Sequence, residues 1–296
     1  MHRGTGRAAV LATAMQAPPN LVEMTGNMFQ PRLSTASIWL ALLALAGCAE
    51  APQAPDAVEY FQSDGQQLAL HIFRPARGKA PYPTVLFFHG GAWQRGGPGH
   101  FHPQCSWLAE RGYLCISAAY RVAERDGTGP AHAVRDARAA LHHVRGHAAE
   151  LGVDPDRIVL SGGSSGGHLA AMLATGQAGI APPETAAALV LFNPMLNLEP
   201  GRPDHQYVAD QWHELSPHHQ VSSPLPPTLI LLGDRDKDVP LATAQAFCDK
   251  VRSFGASCTL DIAARQGHGF FNRQRSIWHF YRTLHTMQGF LAEVLP

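Results

Sequence analysis

The segment Gly162-Gly163-Ser164-Ser165-Gly166-Gly167 sets a hydroxyl among small residues, directly after the apolar run 158–160 and directly before the Ala-rich stretch 168–173. In a strand, turn, helix context this Gly-x-Ser-x-Gly spacing is that of a nucleophile elbow, a strained turn that lifts the serine clear of the strand tip and needs small neighbours to close. The frame Gly162-x-Ser164-x-Gly166 selects Ser164 as the nucleophile over the neighbouring Ser165. Attack by a serine on a carbonyl needs a base for its proton, a group that orients the base, and N–H donors for the oxyanion that develops. The amide of Ser165, at the start of a helix, is one such donor, and the helix dipole adds to its field. The alternative reading of these residues is an ordinary Gly-rich turn.

A second Gly-rich segment, His89-Gly90-Gly91-Ala92-Trp93, follows the apolar run 84–88. Two glycines and an alanine let backbone pass close to a bound acyl group with its N–H groups facing inward, so Gly91 and Ala92 are candidate oxyanion donors. His89 reads as a structural residue that holds the loop. A candidate stretch for the acid is Gly233-Asp234-Arg235-Asp236-Lys237-Asp238-Val239-Pro240, where three aspartates compete at the end of the apolar run 229–232. The chain has 17 histidines, but no His-Glu-x-x-His or Cys-x-x-Cys spacing gathers them as metal ligands. His143 and His147, one helical turn apart, read as a solvated face, and neither a metal nor an organic cofactor is implied.

The elements that must carry these residues follow from hydrophobic periodicity. Residues 58–62 and 68–73 flank Ser63-Asp64-Gly65, a hairpin signal, so the chain opens with antiparallel strands. From residue 84 onward, strands at 84–88, 113–118, 158–161, 188–192, 228–232 and 258–262 alternate with helices at 103–111, 130–150, 165–175, 241–254 and 276–294. Alternation of this kind gives βαβ units, hence an α/β fold with a mostly parallel central sheet and helices on both faces. Asp154-Pro155 reads as a turn before the nucleophile strand. Residues 197–227 break the rhythm with a polar, His- and Pro-rich stretch, which we read as a cap or rim insertion over the site.

With both Gly-rich motifs in place, the chain resembles the α/β-hydrolase superfamily, in its hormone-sensitive-lipase-like and acetylxylan- or feruloyl-esterase-like carboxylesterase branches, which carry His-Gly-Gly-Gly or His-Gly-Gly-x-Trp. Ala92 stands where the lipase-like branch has its third glycine, and this departure favours the acetyl- and feruloyl-esterase-like side. The resemblance runs across most of residues 84–272, including Phe192-Asn193-Pro194, whose role reads as turn and packing. It implies the α/β-hydrolase fold and the chain order serine, acid, histidine. It also implies His268, within Gly267-His268-Gly269-Phe270, as the base, with His279 and His285 left as surface residues of a helix. The family spacing Gly-x-x-Asp-x-x-Val-Pro matches Gly233, Asp236, Val239 and Pro240, which implies Asp236 as the acid and leaves Asp234 and Asp238 as loop charges.

The beginning of the chain reads as an address. Residues 38–46 are apolar but too few to span a bilayer, and they lie between Arg32 and Gly47-Cys48. Leu45-Ala46-Gly47-Cys48 resembles a bacterial lipobox, so residues 28–47 are expected to be a lipoprotein signal peptide and Cys48 the lipidated residue. Ala49 after it matches the outer-membrane default. Residues 1–27 fit no part of this layout and read as a non-native or disordered extension before a start at Met28. Residues 48–57, rich in Pro and Ala, read as a tether to a catalytic domain over 58–296. Export makes the remaining cysteines informative: Cys105 with Cys115 and Cys248 with Cys258 are each ten apart across a turn. In an oxidising compartment each pair is a disulfide candidate, adding about 2–3 kcal/mol by loop entropy, the alternative being four buried thiols.

Composition bounds the partners. Lys plus Arg and Asp plus Glu both number 23, so there is no basic excess to recruit nucleic acid. A hydrophobic content of 45% with 16% charged residues describes a packed globular chain. The expectation is a serine carboxylesterase acting on a small-molecule or carbohydrate acyl ester, held to the cell envelope by its lipid alone. Two other readings stay open: an amidase or peptidase of the same fold, arylformamidase-like or prolyl-oligopeptidase-like, and a catalytically silent envelope binding module.

Overall fold

A computed structural model describes residues 54–295. The expected signal peptide, Cys48 as the expected lipidation site and the expected extension over 1–27 lie outside the described residues, as does most of the expected tether. Among the described residues no helix is long and apolar enough to cross a membrane.

The chain opens with β1 (Ala57–Ser63) and β2 (Gln66–Phe73), paired antiparallel. Asp64 and Gly65 join them with φ of 47° and 77°, the left-handed pair that a two-residue turn between twisted strands requires. Then follow β3 (Tyr82–Phe88), α1 (His102–Ala109), β4 (Leu114–Ala118), α2 (Pro130–Gly146), β5 (Val153–Gly163) and α3 (Ser165–Thr175). The remainder is β6 (Ala188–Phe192), β7 (Thr228–Gly233), α4 (Leu241–Ser253), β8 (Cys258–Ala263) and α5 (Ile277–Val294). The eight strands lie in the order β1-β2-β4-β3-β5-β6-β7-β8, antiparallel up to the β2/β4 pair and parallel from there on.

The unbroken apolar runs of the central strands reflect burial on both faces. Leu86, Phe88, Leu160, Leu189, Leu191, Ile230 and Leu232 point to one side, into a cluster shared with α2, α3 and α4. Their alternates Val85, Phe87, Val159, Val190, Phe192, Leu229 and Leu231 point to the other, against α1 and α5. This two-residue alternation is what pleated strands impose. Two pairs of cysteines stitch helix to strand: Cys105–Cys115 joins α1 to β4, and Cys248–Cys258 joins α4 to β8, with Cα atoms 5.1 and 5.3 Å apart.

Three local features differ from the sequence reading. The Asp154-Pro155 turn lies within β5 rather than before it, as an irregularity that shifts the pairing from Tyr82↔Val153 to Thr84↔Ile158. Asp154 makes that turn itself, accepting from the Asp156 N–H at 3.1 Å and from Arg157 Nε at 2.7 Å. The helix expected over 130–150 breaks at His147 into α2 and a short turn, Ala148–Leu151. Residues 197–227 contain only short 3-10 turns and the one-turn helix Pro217–Gln220.

Candidate active site

The parallel strands all end on one edge, and the loops that leave it carry the candidate residues. On either side of β3 the strand order reverses, β4 on one flank and β5 on the other, so the loops after β3 and β5 diverge and leave a crevice, the usual place for a ligand in such sheets. Gly90 to Ala92 after β3, Ser164 after β5, Asn193 after β6 and His268 after β8 line it, with Asp236 after β7 buried behind His268.

Ser164 sits between β5 and α3 with φ 55° and ψ −120°, a strained conformation for a residue with a side chain. The strain is held by packing. A Cβ on Gly166 would lie 2.0 Å from the Phe88 carbonyl oxygen, and one on Gly162 would lie 2.4 Å from the Gly166 backbone, so only glycine lets β3, β5 and α3 meet this closely. The spacing alone does not separate the two hydroxyls, because Gly163 and Gly167 frame Ser165 in the same way. The structure does separate them. Ser165 is fully buried and its Oγ faces Tyr120, whereas Ser164 Oγ lines the crevice 3.0 Å from His268 Nε2.

On the other side of the imidazole, His268 Nδ1 lies 2.9 Å from Asp236 Oδ2 and 3.1 Å from Oδ1. This is the tautomer in which Nδ1–H donates to the carboxylate and Nε2 accepts from the serine. Asp236 is itself fixed: its side chain is wholly buried, and Oδ1 accepts the N–H groups of Asp238 at 3.0 Å and Val239 at 2.8 Å. Asp234 is exposed on the loop. Asp238 is more than the loop charge expected from the sequence, because it lines the crevice with Oδ2 3.8 Å from His268 Nδ1.

The loop after β3 is bent to an unusual degree. Gly91, Ala92 and Trp93 all have positive φ, 132°, 53° and 58°, and a Cβ on Gly91 would fall 2.0 Å from the Arg95 carbonyl oxygen. Among the described residues, the N–H groups of Gly91, Ala92 and Ser165 donate to no backbone or side-chain acceptor, and Gly91 and Ala92 line the crevice. His89 is buried, its Nδ1 3.0 Å from the Gly90 carbonyl oxygen and its ring stacked 4.0 Å from Tyr120. Burial pushes its pKa down to about 3, so it is a neutral packing element. His143 and His147 stack on each other at 4.1 Å, away from the crevice.

Several residues of the site carry no signal in the sequence. Asn193 is buried with φ 37°, and its Nδ2 lies 2.7 and 2.9 Å from the two nitrogens of His268. Near-equal distances put the amide against the ring rather than along either lone pair, so it braces the imidazole. The crevice holds about 420 Å³, walled by Phe101 and Phe271 on one part and by Gln94, Arg95, Asp204, Tyr207 and Asp238 on another. A Cβ on Gly163 would lie 3.0 Å from Phe271 Cζ and 3.2 Å from Phe101 Cζ, so both rings stand against the backbone beside the nucleophile. Burial raises the Asp204 carboxyl to about 6, and the neighbouring charge of Asp238 adds to the rise.

Comparison with known proteins agrees with this geometry. An esterase from the planctomycete Thermogutta terrifontis, solved with propionate bound, is 37% identical to this chain at a TM-score of 0.74, covering 83% of this chain and 97% of its own. This chain belongs to the α/β-hydrolase carboxylesterase family. A structure of the same Thermogutta esterase phosphonylated by sarin superposes with a TM-score of 0.74 at 36% identity, covering 83% of this chain and 98% of that one. The BD-FAE family profile matches residues 70–181, which take in the loop after β3 and Ser164. A probable carboxylic ester hydrolase of Mycobacterium tuberculosis, LipM, is 31% identical over 57% of this chain and 45% of its own length. Esterase LipQ of the same organism is 32% identical over 64% and 50%. The chain thus spans about half the length of these curated relatives.

Proposed function

We propose that this carboxylesterase-family chain hydrolyses short-chain carboxylic esters through an acyl-enzyme. The observation that carries the reading is the continuous chain Ser164 Oγ, His268, Asp236, with contacts of 3.0 and 2.9 Å. In the first half-reaction Ser164 Oγ attacks the ester carbonyl carbon as its proton passes to His268 Nε2. Asp236 holds the imidazolium, and the N–H groups of Gly91, Ala92 and Ser165 receive the oxyanion. Collapse of the tetrahedral species breaks the bond to the alcohol, which leaves with the proton from His268. Water then repeats the sequence on the acyl-serine and releases the acid.

Short acyl groups are favoured by Phe101 and Phe271, which fill the space beside Gly163 where a longer chain would run. Gln94, Arg95, Asp204 and Tyr207, which also line the crevice, offer polar partners to an alcohol that carries hydroxyls. Acetyl esters of polysaccharides fit both requirements and are the substrate class we propose. Export as a lipoprotein through Cys48 belongs to the same proposal, and the two cysteine pairs close enough to be joined support an oxidising compartment.

A turnover series tests this reading: p-nitrophenyl acetate, butyrate and octanoate, acetylated xylan, an aryl formamide and a Pro-peptide. The expected pattern is falling kcat/KM with acyl length, acetate release from xylan, and inert amides. Preference for the amides over acetyl esters overturns it.

A further inference from the structure

The oxyanion loop is costly to hold. Ala92 and Trp93 are consecutive non-glycine residues with left-handed φ, a conformation that is strained for residues with side chains and persists only where surroundings enforce it. The surroundings here are the segment directly after β4. Tyr120 is fully buried, and its hydroxyl donates to the His89 carbonyl oxygen at 2.9 Å. Three residues further on, the Ala123 N–H donates to the Trp93 carbonyl at 2.9 Å, and the Glu124 N–H donates to the Gln94 carbonyl at 2.9 Å. The loop is thereby fastened at both of its ends.

The segment that does the fastening is fixed in its turn. The Arg121 N–H and guanidinium donate to the buried Asp136 carboxylate, at 2.8 Å from the backbone and 2.6 to 3.1 Å from the side chain. Arg125 Nη2 donates to the Tyr120 carbonyl at 3.2 Å.

The Tyr120 hydroxyl has a second neighbour, Ser165 Oγ, at 3.3 Å. With the phenol proton committed to His89, the serine hydroxyl is the donor of this second contact. Burial raises the phenol well above its ordinary range, so it keeps that proton. One hydroxyl therefore touches both parts of the oxyanion site: the loop that supplies Gly91 and Ala92, and the residue whose amide is the third donor.

We propose that Tyr120 is a positioning residue for catalysis, its hydroxyl locking the loop after β3 to the start of α3 so that the Gly91, Ala92 and Ser165 N–H groups stay aimed at one point. The inference rests on the esterase reading above. Donors aimed in advance stabilise charge that exists in the tetrahedral species and not in the bound ester. Loosening them must therefore lower kcat and leave KM nearly unchanged.

The experiment compares the wild-type chain with Tyr120→Phe and Ser165→Ala on p-nitrophenyl acetate. Alongside turnover it measures inhibition by an alkylboronic acid, which forms a tetrahedral adduct on serine, and by acetate, the trigonal product. For Tyr120→Phe the expected result is a kcat lower by about 10–100-fold with KM within about threefold, boronate affinity weakened in step with kcat, and acetate inhibition unchanged. Ser165→Ala, which keeps the amide and loses only the hydroxyl, should show the same pattern at about threefold. Tyr120→Phe with kcat within twofold of wild type overturns the inference, as does a lower kcat at unchanged boronate affinity. Should Tyr120→Phe fail to fold, an unchanged kcat in Ser165→Ala overturns it instead. A wild-type chain with no ester turnover and no fluorophosphonate labelling overturns the esterase reading itself, whereas an active wild type beside unaffected variants sinks only the role of Tyr120.

Discussion

On one side of the crevice stand the end of β5, the wholly buried α3 and the loop after β3, where glycine backbones come up against carbonyls. On the other lie residues 197–227, short turns in which core-packed Leu198, Val208 and Leu215 alternate with exposed residues, and a carboxyl at Asp204 that burial raises to about 6. The first region tolerates no added atom, since a methyl group at Gly166 or Gly91 would meet backbone oxygen at 2.0 Å. The second lines the crevice with two residues, Asp204 and Tyr207. The first holds the strained backbone that the proposed chemistry needs, whereas exposed positions of the second can be replaced at little cost to the fold.

The contrast is broken most directly by substitutions on the rigid side. Ser164→Ala should lower kcat by roughly 10⁶ in a p-nitrophenyl acetate assay while leaving the melting temperature near wild type, since losing a triad nucleophile costs that much in comparable enzymes. Gly166→Ala should lower the melting temperature by roughly 5–10 °C in a thermal-shift scan, because overpacking a rigid site costs about 1–3 kcal/mol. Exposed Gln206→Ala in the rim should move it by less than about 2 °C in the same scan. Equal shifts for the two variants would remove the distinction between the regions.

How much of this was legible in the sequence follows the same division. The elbow and the Gly-rich loop after β3 are local patterns, because a tight turn demands small residues at fixed offsets, whereas His268 and Asp236 were read through the family resemblance; the alternation of apolar runs was enough to read the sheet. Asn193, Tyr120 and Asp204 were not legible as site residues, and Asp238 was visible only as a competitor for the acid. Each acquires its place only when loops far apart in order converge, and an Asn before a Pro or a Tyr at a strand end carries no mark of it. The Asp154-Pro155 turn was read in the right residues but outside the strand, since a pairing irregularity leaves no periodicity to find.

Two smaller effects sharpen the comparison where the rigid wall meets the substrate. Phe271→Ala should open the space beside Gly163 and raise kcat/KM for octanoate relative to acetate by about tenfold, within the range that pocket volume supplies. An unchanged chain-length profile would move acyl selection elsewhere. On the rim, Asp204 is neutral below about 6 and anionic above it. An ester of a cationic amino alcohol should therefore gain about two- to threefold in kcat/KM over its neutral counterpart as pH rises from 5 to 7, and Asp204→Asn should flatten that gain.

The central claim is that one hydroxyl, Ser164, carries the acyl group. Labelling the chain with a fluorophosphonate and mapping the adduct by peptide mass spectrometry tests it without reference to any substrate. A single adduct on Ser164, absent from Ser164→Ala and from His268→Ala, is the predicted result. An adduct on Ser165, or undiminished labelling in the Ser164→Ala variant, would contradict it.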